Sequence, residues 1–282
     1  PGQQSSSPAS ESGSVPTSSE VAPILPGTLI GNDEYAARRG RLMEDVPDGL
    51  VLIPGATTPL TGESFAQSND FLYFTGVEAP DAWLVMDGAR RESTLFLTLE
   101  EHDAEGEGIP RELVLEPESY TGIERALPAE ELEGFLRERL GTGGVICLSH
   151  RPEELPRMNT NEVDRAFRRV ITENPWDGRL SRELQLVERL RERFPGAEIR
   201  DCHLPIQVMR KVKSPAEVAL VREAARIGVQ AHLEFMRATE VGMPEQALAA
   251  LFDFVTRREG AQELAYETII MSGEHHPWGH YH

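Results

Sequence analysis

Apolar residues fall in short blocks from about residue 28 to 205 and in longer, helix-spaced stripes after residue 206. Asn32–Met43 (NDEYAARRGRLM) suits a short polar helix that opens the folded part. Four apolar runs rich in β-branched and aromatic residues follow: Leu50–Ile53, Phe71–Val77, Ala82–Met86 and Thr94–Leu99. Each is bounded by Gly, Pro or Asp, which predicts strands separated by turns. Ala129–Leu140 has helical periodicity, Gly144–Leu148 reads as a buried strand, and Asn161–Ile171 and Ser181–Phe194 predict two more helices. Strands first, then alternation with helices, predict an α/β fold with a mixed sheet over 28–205.

The texture then changes. Ser214-Pro215-Ala216-Glu217 has the form of a capping box with proline at the first helical position. Val218, Val221, Ala225, Gly228, Ala231 and Phe235 make one apolar stripe at helical spacing, and the helix should end near Gly242. Pro244 opens a second helix with Leu248, Leu251, Phe252 and Val255 inward and Gly260 as its stop. Leu264–Met271 (LAYETIIM) predicts a strand running into Ser272-Gly273. A second domain is therefore expected over 206–282.

Ahead of both lies a Ser/Pro-rich leader, residues 1–27, with almost nothing to bury, so disorder is expected there. The chain begins with Pro1 rather than Met, which suggests processing or a cut, and such a leader suits an exported or a cytoplasmic protein equally. The 28 Lys and Arg against 47 Asp and Glu give a net charge of −19. That balance argues against nucleic acid or an anionic membrane surface as the main partner, because both select basic faces. No apolar run approaches the roughly 18 residues of a membrane span. With only Cys147 and Cys202, a disulfide framework is excluded.

Several segments carry residues of chemical interest. His275, His276, His280 and His282 crowd the last eight positions, and neutral imidazoles suit zinc, nickel or copper; a polar loop is the plainer reading. Asp103–Gly108 faintly resembles a calcium loop, but Val114 stands where the closing carboxylate belongs, so a solvated acidic loop is expected. Cys147 with His150, and Cys202 with His203, suggest zinc, against core thiols in apolar runs. Gly141-Thr142-Gly143-Gly144 follows a helix and precedes a strand, the wrong order for a phosphate loop, and reads as a turn. Arg189–Arg193 is expected to be a solvated helix face, and no G-x-S-x-G nucleophile elbow occurs.

Three segments in order resemble the aminopeptidase P and prolidase group of creatinase-type "pita-bread" metallopeptidases. Ser68-Asn69-Asp70-Phe71-Leu72-Tyr73-Phe74-Thr75-Gly76, with Pro80-Asp81-Ala82, looks like the signature of the aminopeptidase P N-terminal domain. Lys213–Glu217 with Arg222, Ala224 and Ala225 is similar to the helix opening the catalytic domain. Tyr266–Ile270, Ser272-Gly273-Glu274 and His280-Tyr281 look like the strand and loop of the family's active-site His-Tyr pair.

The resemblance implies a creatinase-like N-terminal domain over 28–205 and the beginning of an α+β pita-bread catalytic domain over 206–282. It implies hydrolysis of the bond between an N-terminal residue and a following proline; the alternatives are a Xaa-Pro dipeptidase, a creatinase-like hydrolase or a non-catalytic pita-bread binding protein. Peptides with proline in second position are the implied partners, in a homo-oligomer. Family members use two divalent ions, usually manganese, held by two Asp, one His and two Glu that all follow the His-Tyr pair. The chain would then end before its metal ligands and be inactive alone, with an exposed, half-built second domain prone to association. Carboxylate ligation suits hard ions such as Mn²⁺, and two of them can hold a bridging hydroxide. By resemblance, His280 alone is the catalytic residue, stabilising charge on the tetrahedral intermediate. His275, His276 and Gly279 stand where the family commonly has Asn, a small residue and Leu.

Overall fold

The computed structural model describes residues 30–58, 65–99, 109–152, 176, 178, 180–266 and 268–276. They fall in two compact units, one of residues 30–225 with 264–266, the other of Arg226–Glu263 with 268–276.

The larger unit is built on a six-stranded mixed sheet in the order β4-β3-β2-β1-β5-β6. Its strands are β1 (Leu50–Pro54), β2 (Trp83–Asp87), β3 (Glu92–Leu97), β4 (Arg125–Pro128), β5 (Val145–Leu148) and β6 (Glu198–Asp201). β1, β2 and β3 pair antiparallel, whereas β1–β5, β5–β6 and β3–β4 pair parallel. β1 is apolar without interruption because both of its faces are covered. Val51 and Ile53 join a core with Leu42, Met43, Phe71, Phe74, Ile206 and Met209. Leu50 and Leu52 face the opposite way, into a second core with Phe135, Leu136, Val187, Leu190 and Phe194.

The helices supplying those cores follow from local sequence. They are α1 (Asn32–Asp45), α2 (Asn69–Thr75), α3 (Arg111–Leu115), α4 (Pro117–Thr121), α5 (Leu132–Leu140), α6 (Arg182–Arg193) and α7 (His203–Lys211). In α6, Ser181 Oγ accepts the Leu184 amide at 3.3 Å, and Val187 and Leu190 turn inward. A 3₁₀ turn at Ala129–Glu131 precedes α5, so the periodic segment starts one turn later than its pattern suggests.

The expected α/β fold with a mixed sheet is present, but two expected strands are not. Phe71–Val77 lies mostly in α2, a helix capped at both ends. The Ser68 side chain accepts from the Phe71 amide, and Gly76, in the left-handed region at φ 68°, donates to Leu72 O. Burial of Phe71, Phe74 and Thr75 is a helical one-face pattern, which a short aromatic run does not distinguish from a strand. Leu264–Met271 forms no strand over its described residues. For residues 268–271 the reason is that, among the described residues, the unit of 226–263 and 268–276 has no strand to receive their backbone groups, and a ladder needs a partner. The helix expected at Asn161–Ile171 lies outside the described residues.

Helix α8 (Pro215–Ala238) starts where the capping box places it, with Ser214 Oγ accepting the Glu217 amide at 3.1 Å and Glu217 accepting the Ser214 amide at 2.8 Å. Its expected stripe is only partly realised: of it Ala231 is buried, joined by Ile227 from outside the stripe, whereas Val221 and Ala225 are exposed. A helix with apolar residues on several faces leaves period alone unable to say which face is covered. In the smaller unit, α9 (Glu245–Arg258) buries Leu248 and Val255. There the His232 ring meets Phe252 edge-on at 5.0 Å, and Arg226 pairs with Glu259 at 3.2 Å.

Candidate functional site

The described residues that precede His280 in the sequence are held by the N-terminus of α9. Glu245, the first residue of that helix, accepts from both the amide and the hydroxyl of Ser272, at 2.6 and 2.8 Å with the same oxygen. A single carboxylate thereby fixes the start of the 3₁₀ turn Gly273–His275. Gly273 takes φ 55°, a conformation open to glycine at little cost. The turn closes with the His276 amide on Gly273 O, and His276 is exposed. His280 and His282 lie outside the described residues. Sequence reasoning missed Glu245: a Glu in the first helical turn looks like a dipole-complementing residue, and only tertiary placement brings it to Ser272.

Most of the signature around α2 serves the fold. Phe71 and Phe74 are fully buried, and Tyr73 lies under the Arg38 guanidinium at 4.1 Å. Asp70 pairs with Arg210 of α7 at 2.8 Å. Thr75 Oγ1 donates to Phe71 O and accepts the Val77 amide, closing the helix end. Downstream, Asp81 at φ 56° accepts from the Thr58 hydroxyl at 2.7 Å. Gln67 bridges both sides of that corner by accepting the Ala56 amide and donating to Ala79 O.

Both cysteines are free thiols inside the first core. Burial pushes the Cys147 thiol up to about 11 and raises that of Cys202 as well. Each packs among the apolar side chains of that core, which is the core reading rather than the zinc one. Among the described residues, no group of three or more His, Cys, Asp and Glu side chains is placed to hold a metal ion. Their histidine neighbours instead join a small polar network at the end of β5. Ser149 Oγ lies 3.4 Å from His203 Nδ1, and Asp201 accepts the amides of His150 and His203. Desolvation holds the His203 imidazole below its usual value, hence neutral at pH 7.

The remaining motifs resolve simply. Gly141 and Gly144 take positive φ in the turn between α5 and β5. Arg189 and Arg191 form exposed pairs with Glu192 and Glu188. Asp103–Gly108 lies outside the described residues.

Two family models match the chain: the aminopeptidase P N-terminal domain over residues 35–146, and metallopeptidase family M24 over 219–282. The chain is 28% identical over 256 residues to an Escherichia coli Xaa-Pro aminopeptidase, covering 87% of this chain and 53% of that protein. It is 24% identical over 277 residues to mouse Xaa-Pro aminopeptidase 3, covering 92% and 50%. It thus spans about half the length of these relatives. Among solved structures, E. coli aminopeptidase P with the inhibitor Pro-Leu superposes at a TM-score of 0.66 and 27% identity, covering 89% of this chain and 55% of that one. The Pseudomonas aeruginosa aminopeptidase PepP shares the fold at a TM-score of 0.67 and 21% identity, with the same coverage. With an α/β domain whose signature helix is accounted for residue by residue, and a helical unit leading into the turn at 273–275, the chain belongs to the aminopeptidase P family of M24 pita-bread metallopeptidases.

Proposed function

We propose that the protein to which this chain contributes is a Xaa-Pro aminopeptidase, releasing an N-terminal residue that precedes proline. The observation that carries the reading is the pairing, on one chain, of an aminopeptidase P N-terminal domain match with an M24 metallopeptidase match. The substrates are peptides with proline in second position. Proline lacks an amide hydrogen, so its recognition rests on pocket shape instead of that donor. The working form is a homo-oligomer.

The proposal includes two divalent ions, manganese by family resemblance. The described residues do not fit them: Glu245 is engaged by Ser272, both thiols are packed in the apolar core, and no three donors converge. The donors therefore belong outside these residues. His280 is assigned the task of donating a hydrogen bond to charge developing on the scissile carbonyl oxygen, with the anchored 273–275 turn fixing where its loop begins.

The test uses the full-length protein with added Mn²⁺ and two tripeptides that differ only in proline or alanine at the second position. The expected result is release of the first residue from the proline peptide alone, with kcat lowered about 10²–10³-fold by His280→Ala. Equal cleavage of both, or cleavage restricted to dipeptides, overturns the aminopeptidase assignment. The 282-residue chain by itself is expected to hydrolyse neither.

A further inference from the structure

The two edges of the six-stranded sheet are built differently. β4 forms one edge, and its outward backbone is closed. Glu118 of α4 accepts the Ala126 amide at 3.0 Å, and two residues on, Pro128 has no amide hydrogen to offer. β6 forms the other edge. There the Glu198 amide donates to Gly144 O and the Cys202 amide to Leu148 O, so alternate residues of this parallel ladder turn toward β5. Ile199 and Asp201 therefore turn their amides and carbonyls away from the sheet, and neither amide meets an acceptor among the described residues. β6 has neither proline nor bulge, since its register with β5 runs unbroken from Glu198 to Asp201. Open backbone groups of this kind are a template for another strand.

The side chains select which strand. Glu198 and Arg200 are exposed, stand on the same side of β6 and pair with each other at 2.7 Å. Ile199 between them is half-buried on the opposite face, against the core that holds Val187 and Leu190 of α6. A second β6 laid antiparallel, with a two-fold axis at Ile199, sets the two Ile199 residues opposite each other and Glu198 opposite the partner's Arg200. The pair along each strand is kept, and each carboxylate gains a second guanidinium across the strands. An axis one residue away would oppose Arg200 to itself or Glu198 to itself, and like charges directly opposite are unfavourable. On α6, which flanks β6, the exposed pairs Glu188–Arg191 and Arg189–Glu192 leave no single-sign surface to repel the second copy.

We propose that β6 is a self-association edge, pairing antiparallel with β6 of a second copy about Ile199 and continuing one sheet through both. The proposal names a contact within the homo-oligomer given above and rests on that reading.

Sedimentation velocity on the full-length protein tests it. Ile199→Pro deletes an outward amide while sparing the bonds to β5, and the oligomer mass is expected to fall at least about twofold. Glu198→Arg and Arg200→Glu change only exposed side chains, so they remain informative should the proline impair folding. Each turns both cross-strand pairs into like charges and is expected to weaken association at least about tenfold. An equimolar mixture of the two charge variants restores it, because every cross-strand pair then joins Arg to Glu. A monomeric parent protein overturns the proposal together with the homo-oligomer reading. An oligomer that none of the three variants alters, or charge variants whose mixture does not reassociate, overturns the proposal and leaves that reading standing. Cleavage of the proline tripeptide reports on the peptidase assignment independently of mass.

Discussion

Arg39 offers a direct contest between two opposing effects. It lies on α1 with 1% of its surface exposed, the largest of the fully buried side chains among the described residues. Its Nη1 donates to Phe74 O and its Nη2 to Gly122 O, both at 3.0 Å. Phe74 O is one of the last carbonyls of the seven-residue helix α2, which intrahelical bonding leaves without a partner. One guanidinium therefore caps α2 and ties the Gly122 turn to α1. Against this stands the desolvation of the charge, which lowers the Arg39 pKa and is only partly offset by Glu124. Arg39→Met keeps comparable bulk and removes the charge. Leaving the buried Phe74 carbonyl unsatisfied costs about 1–3 kcal/mol, and losing the charged hydrogen bond to the part-buried Gly122 carbonyl about 1.5–3 kcal/mol. Relief of charge burial returns part of that, so a net loss of about 2–4 kcal/mol is expected. At about 2–4 °C per kcal/mol for a unit of this size, Tm should fall by about 5–15 °C. Arg39→Lys, able to reach one carbonyl, should lose about half as much. Thermal unfolding followed by circular dichroism reads both variants. A neutral or stabilising Arg39→Met would show that desolvation outweighs the two hydrogen bonds, and the reasoning fails.

Gly76→Ala should destabilise by about 2–4 kcal/mol in the same assay, because a Cβ there meets the Tyr35 ring at 2.6 Å and the backbone is left-handed at φ 68°. Ser214→Ala removes half of the capping box of α8 and should cost about 1 kcal/mol, read as a drop in urea midpoint at unchanged slope. The Cys147 thiol is raised above its unfolded value of about 9, so its contribution to stability is complete below pH 9 and is lost as pH rises toward 11. The loss from this group amounts to about 2–3 kcal/mol over that interval, and denaturation midpoints of Cys147→Ala should fall less steeply with pH than those of the parent. An equally steep fall in both would assign the alkaline loss to other groups.

Local patterns determined much of this protein. Apolar runs placed β1, β2, β3 and β5, because a strand covered on both faces is mostly apolar, although β3 also buries Ser93 and Thr94. Ser214-Pro215-Ala216-Glu217 fixed the start of α8 through bonds that close within four residues, so no distant partner was needed. The family resemblance was legible for a related reason: its N-terminal signature spells out the Ser68 cap, the Phe71 and Phe74 anchors and the Gly76 stop of one helix. Yet that same run of aromatics reads as a strand until the cap geometry is seen. The edge strands β4 and β6 were invisible, since a strand with one open side keeps polar residues such as Arg125, Glu198 and Arg200.

Tertiary structure alone decided what depends on residues far apart in the chain. Glu245 becomes the anchor of the turn before His276 only when a helix start meets Ser272. The two cysteines, 55 positions apart in the sequence, turn out to be protonated core thiols because neighbouring strands and α7 enclose them. A crevice at the ends of β1 and β5 gathers Asp70, Ser149, Glu183 and His203 from four separate segments. Composition and periodicity carry information over one or two turns of chain. Charge pairing, burial and pKa depend on distances through space, and those are set only when the sheet closes its order.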